Sequence, residues 1–433
     1  MGYHFSMSTA PSNTPSTTPP TSRTDTVTVL RDVRPWGGER SDLHVADGVI
    51  TAVVPHDPAA RAVGTPGSTD ADTAPDAGVV EGNGLLALPG LVNAHAHVDK
   101  SWWGKPWVSY GGEPGTQGRI AHERAHRDEL GIPGVDVTLA VLRESVRTGT
   151  TAVRSHVDVD LGVGLRGIEV VREAAATLGG AVHVEIVAFP QDGVLRRPGV
   201  LDLLDQAAAA GAEHIGGLDP ASIDRDPVGQ LDGLFAIAER HGVGIDVHLH
   251  DGGELGAFQI ELMIDRTVRA GLQGKVNVAH GFAVGQLAGA RQADLVAAMG
   301  EAGISMTTVA PIGAAPLPLH ALRAGGVPVG LGTDGIRDLW SPYGTGDLLT
   351  LTTQLARLSG FRRDEDLVTA ARIASADAAR FVGREVHDLV VGAPADVVLV
   401  DAQNVPDAVV RAPRRALVVA AGRVVARDGE VLV

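Results

Sequence analysis

Eight short apolar runs recur through the middle of this 433-residue chain, at 88–97, 149–160, 180–190, 212–220, 243–250, 275–281, 303–309 and 327–334. Each has the length of a strand, and helix-compatible spans separate them. Two of those spans, 201–210 and 230–241, are rich in Ala and Leu. Strands that alternate with helices must run parallel, because every return crossing needs a connection of helical length. Eight such units in series predict a closed (β/α)8 TIM-type barrel. The main competitor, a doubly wound sheet, would place Gly-x-Gly-x-x-Gly after its first strand, and none is found there.

The chain ends have a different texture. Residues 1–24 are rich in Ser, Thr and Pro without apolar periodicity, which predicts a disordered tail. From 25 to 87, short Val- or Leu-rich runs such as "TVTVL" and "GVITAVV" are broken by Gly, Asp and Pro, with a polar loop between Pro55 and Ala77. The same style returns over 386–433 in "ADVVLVD" and "RALVVAAG". Both ends therefore read as halves of one small β-sandwich, with the barrel domain, 88–385, inserted between them.

Several function classes are excluded at this level. A formal net charge of -16 opposes nucleic-acid or anionic-membrane binding through bulk electrostatics. No apolar run approaches the ~20 residues of a membrane span, and the start of the chain lacks the regions of a signal peptide. Cys is absent, which removes disulfides, thiolate nucleophiles and Cys-held zinc. A cytoplasmic location is the default expectation.

Polar residues crowd the ends of the strand-like runs, where barrels carry their functional groups: His95 and His97, His156 with Asp158, Gln191, His248 with His250 and Asp251, His280, and Asp334. Residues two apart on a strand face the same way, so His95 and His97 stand side by side. A catalytic metal needs a few protein ligands and an open position for water, and His95, His97, His248 and Asp334 could supply them. Any one of these histidines alone is as readily a hydrogen-bonded core residue. Four candidates at one end of three strands favour a shared divalent ion, and Zn2+ and Fe2+ suit the set equally. Trp102, Trp103, Trp107 and Tyr110 follow the first run, and Trp340 and Tyr343 the last. Trp102 and Trp340 are the candidates to stack on a flat ligand. Packing between loops, or a subunit interface, is the alternative use of such residues. His156 is assigned to the pocket wall or to a place behind the ligands, supporting them.

The motifs "LPGLVNAHAHVDK", "GTTAVRSHVDVD", "VAFPQDG", "IDVHLHD", "VAHGF" and "TDGIRDLWSPYGTGD" together resemble the cytosine deaminase-like branch of the amidohydrolase superfamily. The first is also similar to that of a triazine-hydrolysing member of the branch, where Lys100 finds a matching lysine. The resemblance spans about residues 26–430. It implies metal ligation by His95, His97, His248 and Asp334, proton transfer at His280, and hydrogen bonding of a substrate ring by Gln191. Other branches use a carboxylated lysine on the fourth strand to bridge a second metal. The only lysines here are Lys100, Lys105 and Lys275, none of them in 212–220, so one ion per chain is expected. Asp251 stands where cytosine deaminases carry a proton-passing Glu. It is one methylene shorter, and capping the following helix is its alternative role.

The activity so implied is hydrolytic removal of ammonia or an alkylamine from a cytosine- or triazine-like ring, with hydroxide supplied by a metal that lowers the pKa of bound water towards ~7. Asp251, His280 and Asp334 would handle protons, while Lys100, Gln191, His156, Trp102 and Trp340 would hold the substrate. Cyclic amide hydrolysis and a catalytically silent, ligand-binding barrel remain the alternatives. The expected partners are a small heterocycle and further copies of the same chain, as a homo-oligomer.

Overall fold

The computed structural model describes residues 26–59 and 78–433. The Ser/Thr/Pro-rich stretch 1–24 and most of the 55–77 loop lie outside those residues. Strands β1 (Val29–Pro35), β2 (Ser41–Ala46), β3 (Val49–Pro55) and β4 (Val79–Pro89) precede the barrel. The barrel strands are β5 (Leu91–Ala96), β6 (Thr150–Asp158), β7 (His183–Phe189), β8 (His214–Leu218), β9 (Gly244–Leu249), β10 (Val276–His280), β11 (Ser305–Thr308) and β12 (Val329–Leu331). Strands β13 (Val397–Val400), β14 (Arg415–Ala420), β15 (Arg423–Arg427) and β16 (Glu430–Val431) complete the chain.

The two ends build one sheet in the order β16-β15-β14-β13-β4-β1-β2-β3, joined by antiparallel pairing of β4 with β13. It curls so that strands far apart in that order come together: Val49 of β3 bridges to Pro394, just before β13, and Thr26, just before β1, bridges to Arg423 of β15. Leu30, Leu43 and Ile50 from the first half then share a core with Leu399, Leu417 and Val424 from the second. The expected sandwich is thus a single sheet folded over one apolar core.

Strands β5 to β12 follow in strict neighbour order, all parallel. The ring closes where Asp334, just past β12, forms a parallel bridge with Ala96 of β5. Helices α1 (Thr116–His126) and α2 (Val135–Arg147) both follow β5, and α3 (Arg166–Thr177), α4 (Val200–Ala209), α5 (Pro227–His241) and α6 (Gly253–Ala270) follow β6 to β9 in turn. Helix α2 shows why these spans are helical: Val137, Thr138, Val141, Leu142, Ser145 and Val146 recur at three- and four-residue spacing and are buried. Helix α5 starts on an Asp226 cap that accepts from Gly229 N at 2.8 Å, with Pro227 in its first turn, and stops at the left-handed Gly242. No helix among the described residues is long and apolar enough to cross a membrane.

Candidate active site at the C-terminal ends of the barrel strands

The barrel seam sets the first contact of the site. Asp334 N donates to the His95 carbonyl at 3.0 Å, which brings the Asp334 carboxylate beside the β5 histidines. Gly332 permits this approach. A Cβ there would stand 2.5 Å from both the nitrogen and the Cβ of His95, so any side chain would force the seam open. Asp334 Oδ1 lies 3.7 Å from His95 Nε2 and 3.4 Å from His97 Nε2, and His97 Nε2 lies 3.3 Å from His248 Nε2. The His280 ring centre is 4.9 Å from that of His95 and 5.1 Å from that of His248. Asp219, His280 and Asp334 all hold left-handed backbones, at φ 33°, 64° and 60°. Each costs about 1–3 kcal/mol, and such strain concentrates where side chains must be aimed at a site.

The shifts of His97, His248, His280 and Asp334 favour the charge states a cation requires. Burial, with the nearby Lys100 charge, takes His97 down to about 3, and burial beside other imidazoles holds His248 and His280 well below their ordinary value. Burial pushes the Asp334 carboxyl up, but the His95 and His97 imidazoles facing it, with His280 nearby, outweigh that and keep the group well below the usual carboxylate range. Neutral imidazoles facing an ionised carboxylate are what a divalent ion binds. Both ring nitrogens of His95, and Nδ1 of His97 and of His248, are buried without a hydrogen-bond partner, an expense that ligation through one nitrogen of a ring would remove only in part. Ligand atoms of His95, His248 and His280, and of His95, His97 and His156, also lie within 4.8 Å of one another.

Beside this cluster is a cavity of about 150 Å³ whose wall includes Lys100, Gln191, His250, His280, Asp338 and Trp340. That is below the roughly 300–1,000 Å³ of drug-sized sites. A larger cavity of about 640 Å³, lined by Ile312, Thr350, Arg357 and Val410 among others, carries no histidine or carboxylate. Lys100 is buried. Its Nζ lies 2.7 Å from Asp158 Oδ1 and 3.5 Å from Glu123 Oε1, and donates to Gln191 Oε1 at 3.0 Å. Although burial opposes its charge, these carboxylates raise the Lys100 pKa. Burial and the Glu123 carboxylate push Asp158 up against the pull of Lys100, and burial with Asp158 beside it takes Asp99 to about 7. One ammonium does not balance three carboxylates, so the cluster holds on to a proton.

Among the residues singled out from the sequence, His95, His97, His248, His280 and Asp334 converge, and Lys100, Gln191 and Trp340 reach the cavity. Three do not reach it. Trp102 is buried against Ile132, Val137 and Leu339, so it serves the core rather than a stacking surface. His156 is fully buried with its ring centre 4.1 Å from that of His95 and its Nε2 3.2 Å from Asp246 Oδ1, inside the barrel and not on the cavity wall. Asp251 turns its carboxylate to Ser222 N (3.3 Å) and Gln259 Nε2 (2.9 Å), which moves it off the wall. Its neighbour His250 takes the wall position. The His250 ring stacks on His280 at 4.4 Å, and its Nδ1 is 2.8 Å from Asp219 Oδ2. Burial lowers the pKa of His250, but Asp219 outweighs that and raises it overall. His250 lies just past the end of its strand at Leu249, so its spacing from His248 was no guide to its place on the wall. Asp338 sits within the "TDGIRDLW" motif, and Glu123 carried no signal at all.

Comparison with known proteins fits this geometry. The model of the amidohydrolase family matches residues 135–426. The chain is 34% identical to the uncharacterised YahJ protein of Escherichia coli K12 over 69% of its own length, a match that spans 65% of YahJ. It is 27% identical to N-isopropylammelide isopropyl amidohydrolase of Pseudomonas sp. strain ADP, covering 82% of this chain and 89% of that one. The crystal structure of N-isopropylammelide isopropylaminohydrolase from Burkholderia multivorans ATCC 17616 superposes with a TM-score of 0.85 at 41% identity, over 93% of this chain and 99% of the other. A closed parallel barrel with histidines and an aspartate gathered at its strand ends, and a family match across most of that barrel, lead to one conclusion: the chain belongs to the amidohydrolase family, whose members hydrolyse carbon–nitrogen bonds.

Proposed function

We propose that the protein is a metal-dependent aminohydrolase that releases ammonia or an alkylamine from a small, planar nitrogen heterocycle of the pyrimidine or triazine type. The observation that carries this reading is the convergence of His95, His97, His248 and Asp334 on one point beside a small cavity walled by Lys100, Gln191 and Trp340. Those four residues would hold one divalent ion, Zn2+ or Fe2+, which supplies a Lewis acid and an acidified water when bound.

The remaining tasks fall to side chains. Displacing an amine from a ring carbon requires that a proton leave the attacking water and that one reach the departing nitrogen. Asp334, itself one of the four, and His280 beside them are suited to take up the first. His250, anchored by Asp219 and stacked on His280, is suited to deliver the second. Lys100 has only donors, so it captures the carbonyl oxygen of Gln191. The Gln191 amide nitrogen, which has no protein partner among the described residues, is left to donate to a ring oxygen or an unprotonated ring nitrogen. Trp340 offers its face for stacking. The relatives named for ammelide hydrolysis support this substrate class.

The test is release of amine. Metal-supplemented protein should liberate ammonia or alkylamine from at least one of cytosine, isocytosine, ammelide and N-alkylated ammelides. A new ring-opened carboxylate, or turnover unaffected by exhaustive chelation, would defeat the proposal.

A further inference from the structure

Helix α1 contributes one buried carboxylate to the region above the cavity. Glu123 is 2% exposed, its Oε1 is 3.5 Å from Lys100 Nζ, and its Oε2 accepts the indole N–H of Trp340. The helix is fastened to the same neighbours. Arg119 donates to the Trp340 carbonyl at 2.7 Å, Ile120 packs in one cluster with Phe189, Leu218 and Trp340, and Arg127 pairs with Asp160 at 2.6 Å. Glu123 therefore joins two parts of the cavity wall that lie far apart in the chain, one after β5 and one after β12.

We propose that Glu123 is a positioning residue for substrate recognition: it fixes the Trp340 ring and the Lys100–Gln191 pair relative to each other, selecting a flat, uncharged ring with a hydrogen-bond acceptor on one edge. This rests on the reading of the cavity as a heterocycle site. An indole that donates to a buried carboxylate cannot turn without breaking a charge-assisted bond in a poorly solvated place, so the plane offered for stacking is fixed. Lys100 sits between Glu123, Asp158 and Gln191, so its position sets which way the Gln191 amide faces. The carboxylates around Lys100 also leave no spare positive charge for a substrate bearing a carboxylate of its own.

The experiment is a double-mutant cycle read by calorimetric binding of ammelide, with cytosine as a second probe, to zinc-supplemented protein. Glu123→Leu and Trp340→Phe should each weaken binding about tenfold, and the double variant should be little worse than either, because both remove the same bond. Glu123→Gln still offers the indole an oxygen and should retain most of the affinity. A residue that only supports the fold would move the melting temperature without this coupling and without rescue by Gln. Equal affinity of Glu123→Leu and wild type, or losses that multiply in the double variant, would overturn the inference. If Glu123→Leu does not fold, Glu123→Gln binding as poorly as Trp340→Phe overturns it equally. Wild-type protein that binds neither probe would instead bring down the reading of the cavity itself.

Discussion

Replacing Lys100 by Met keeps the length of the side chain and removes the ammonium that lies against Asp158 and Glu123. At an effective dielectric near 20, charges separated by 2.7 Å (Asp158) and 3.5 Å (Glu123) attract by about 6 and about 5 kcal/mol. Desolvation of the partners cancels most of this, and removing one member of a buried ion pair typically costs about 3–5 kcal/mol. The sign with pH follows from the shifts. The Lys100 pKa is raised, so its contribution is complete below its unfolded value of about 10.4 and fades only as pH climbs beyond it. The acids left behind avoid their mutual repulsion by taking up protons. Lys100→Met should therefore lose about 3–5 kcal/mol at pH 8 and clearly less at pH 5. Urea unfolding followed by circular dichroism at the two pH values measures both quantities. A loss under about 1 kcal/mol, or the same loss at both pH values, would show that the ammonium does not neutralise this cluster.

Other consequences can be checked with single substitutions. Gly332→Ala should cost about 1–3 kcal/mol by overpacking, and should weaken zinc binding because Asp334 is carried away from His95 as the seam opens; competition with a chromophoric chelator reads the second effect. Burial takes Asp338 to about 6, so the stability tied to its protonated form is complete below about 3.8 and lost as pH rises through about 6. Asp338→Asn should flatten that part of the stability profile, as seen in thermal melts from pH 4 to pH 8. Asp251→Asn should retain roughly half or more of wild-type turnover, since its carboxylate faces Ser222 and Gln259, whereas His250→Phe should lose roughly tenfold or more, as expected of a proton-transfer group. Amine-release rates on the best substrate separate the two.

The barrel was legible in the sequence because its strands are buried on both faces and punctuated by helices, so each reads as an apolar run ending in a polar residue. His95, His97, His248, His280 and Asp334 were legible for the same reason: strand ends are where the fold gathers polar side chains. Loop residues were not. Trp102 and Trp340 looked alike as aromatic residues after a strand, yet one fills a core with Ile132 and Leu339 while the other faces the cavity, a choice made by packing that spacing does not encode. Asp251 was read as the site residue, yet His250 is the one that lines the cavity, because the chain leaves the strand pattern after Leu249, where alternation no longer says which side chain turns inward. Glu123 reaches Lys100 from a helix 23 positions away, with no periodic signal to tie the two together. Asp246, paired with Arg154 at 3.2 Å inside the barrel, also lies 3.2 Å from His156 Nε2, a contact that turns His156 away from the cavity wall.

Everything proposed about the chemistry depends on four side chains sharing one cation. Elemental analysis of purified protein after zinc loading and desalting, wild type beside His248→Ala, tests this most directly. The expected result is close to one ion per chain in the wild type and a small fraction of that in the variant, with both proteins folded by circular dichroism. Equal metal content in the two, or a wild type that retains none, would contradict the account.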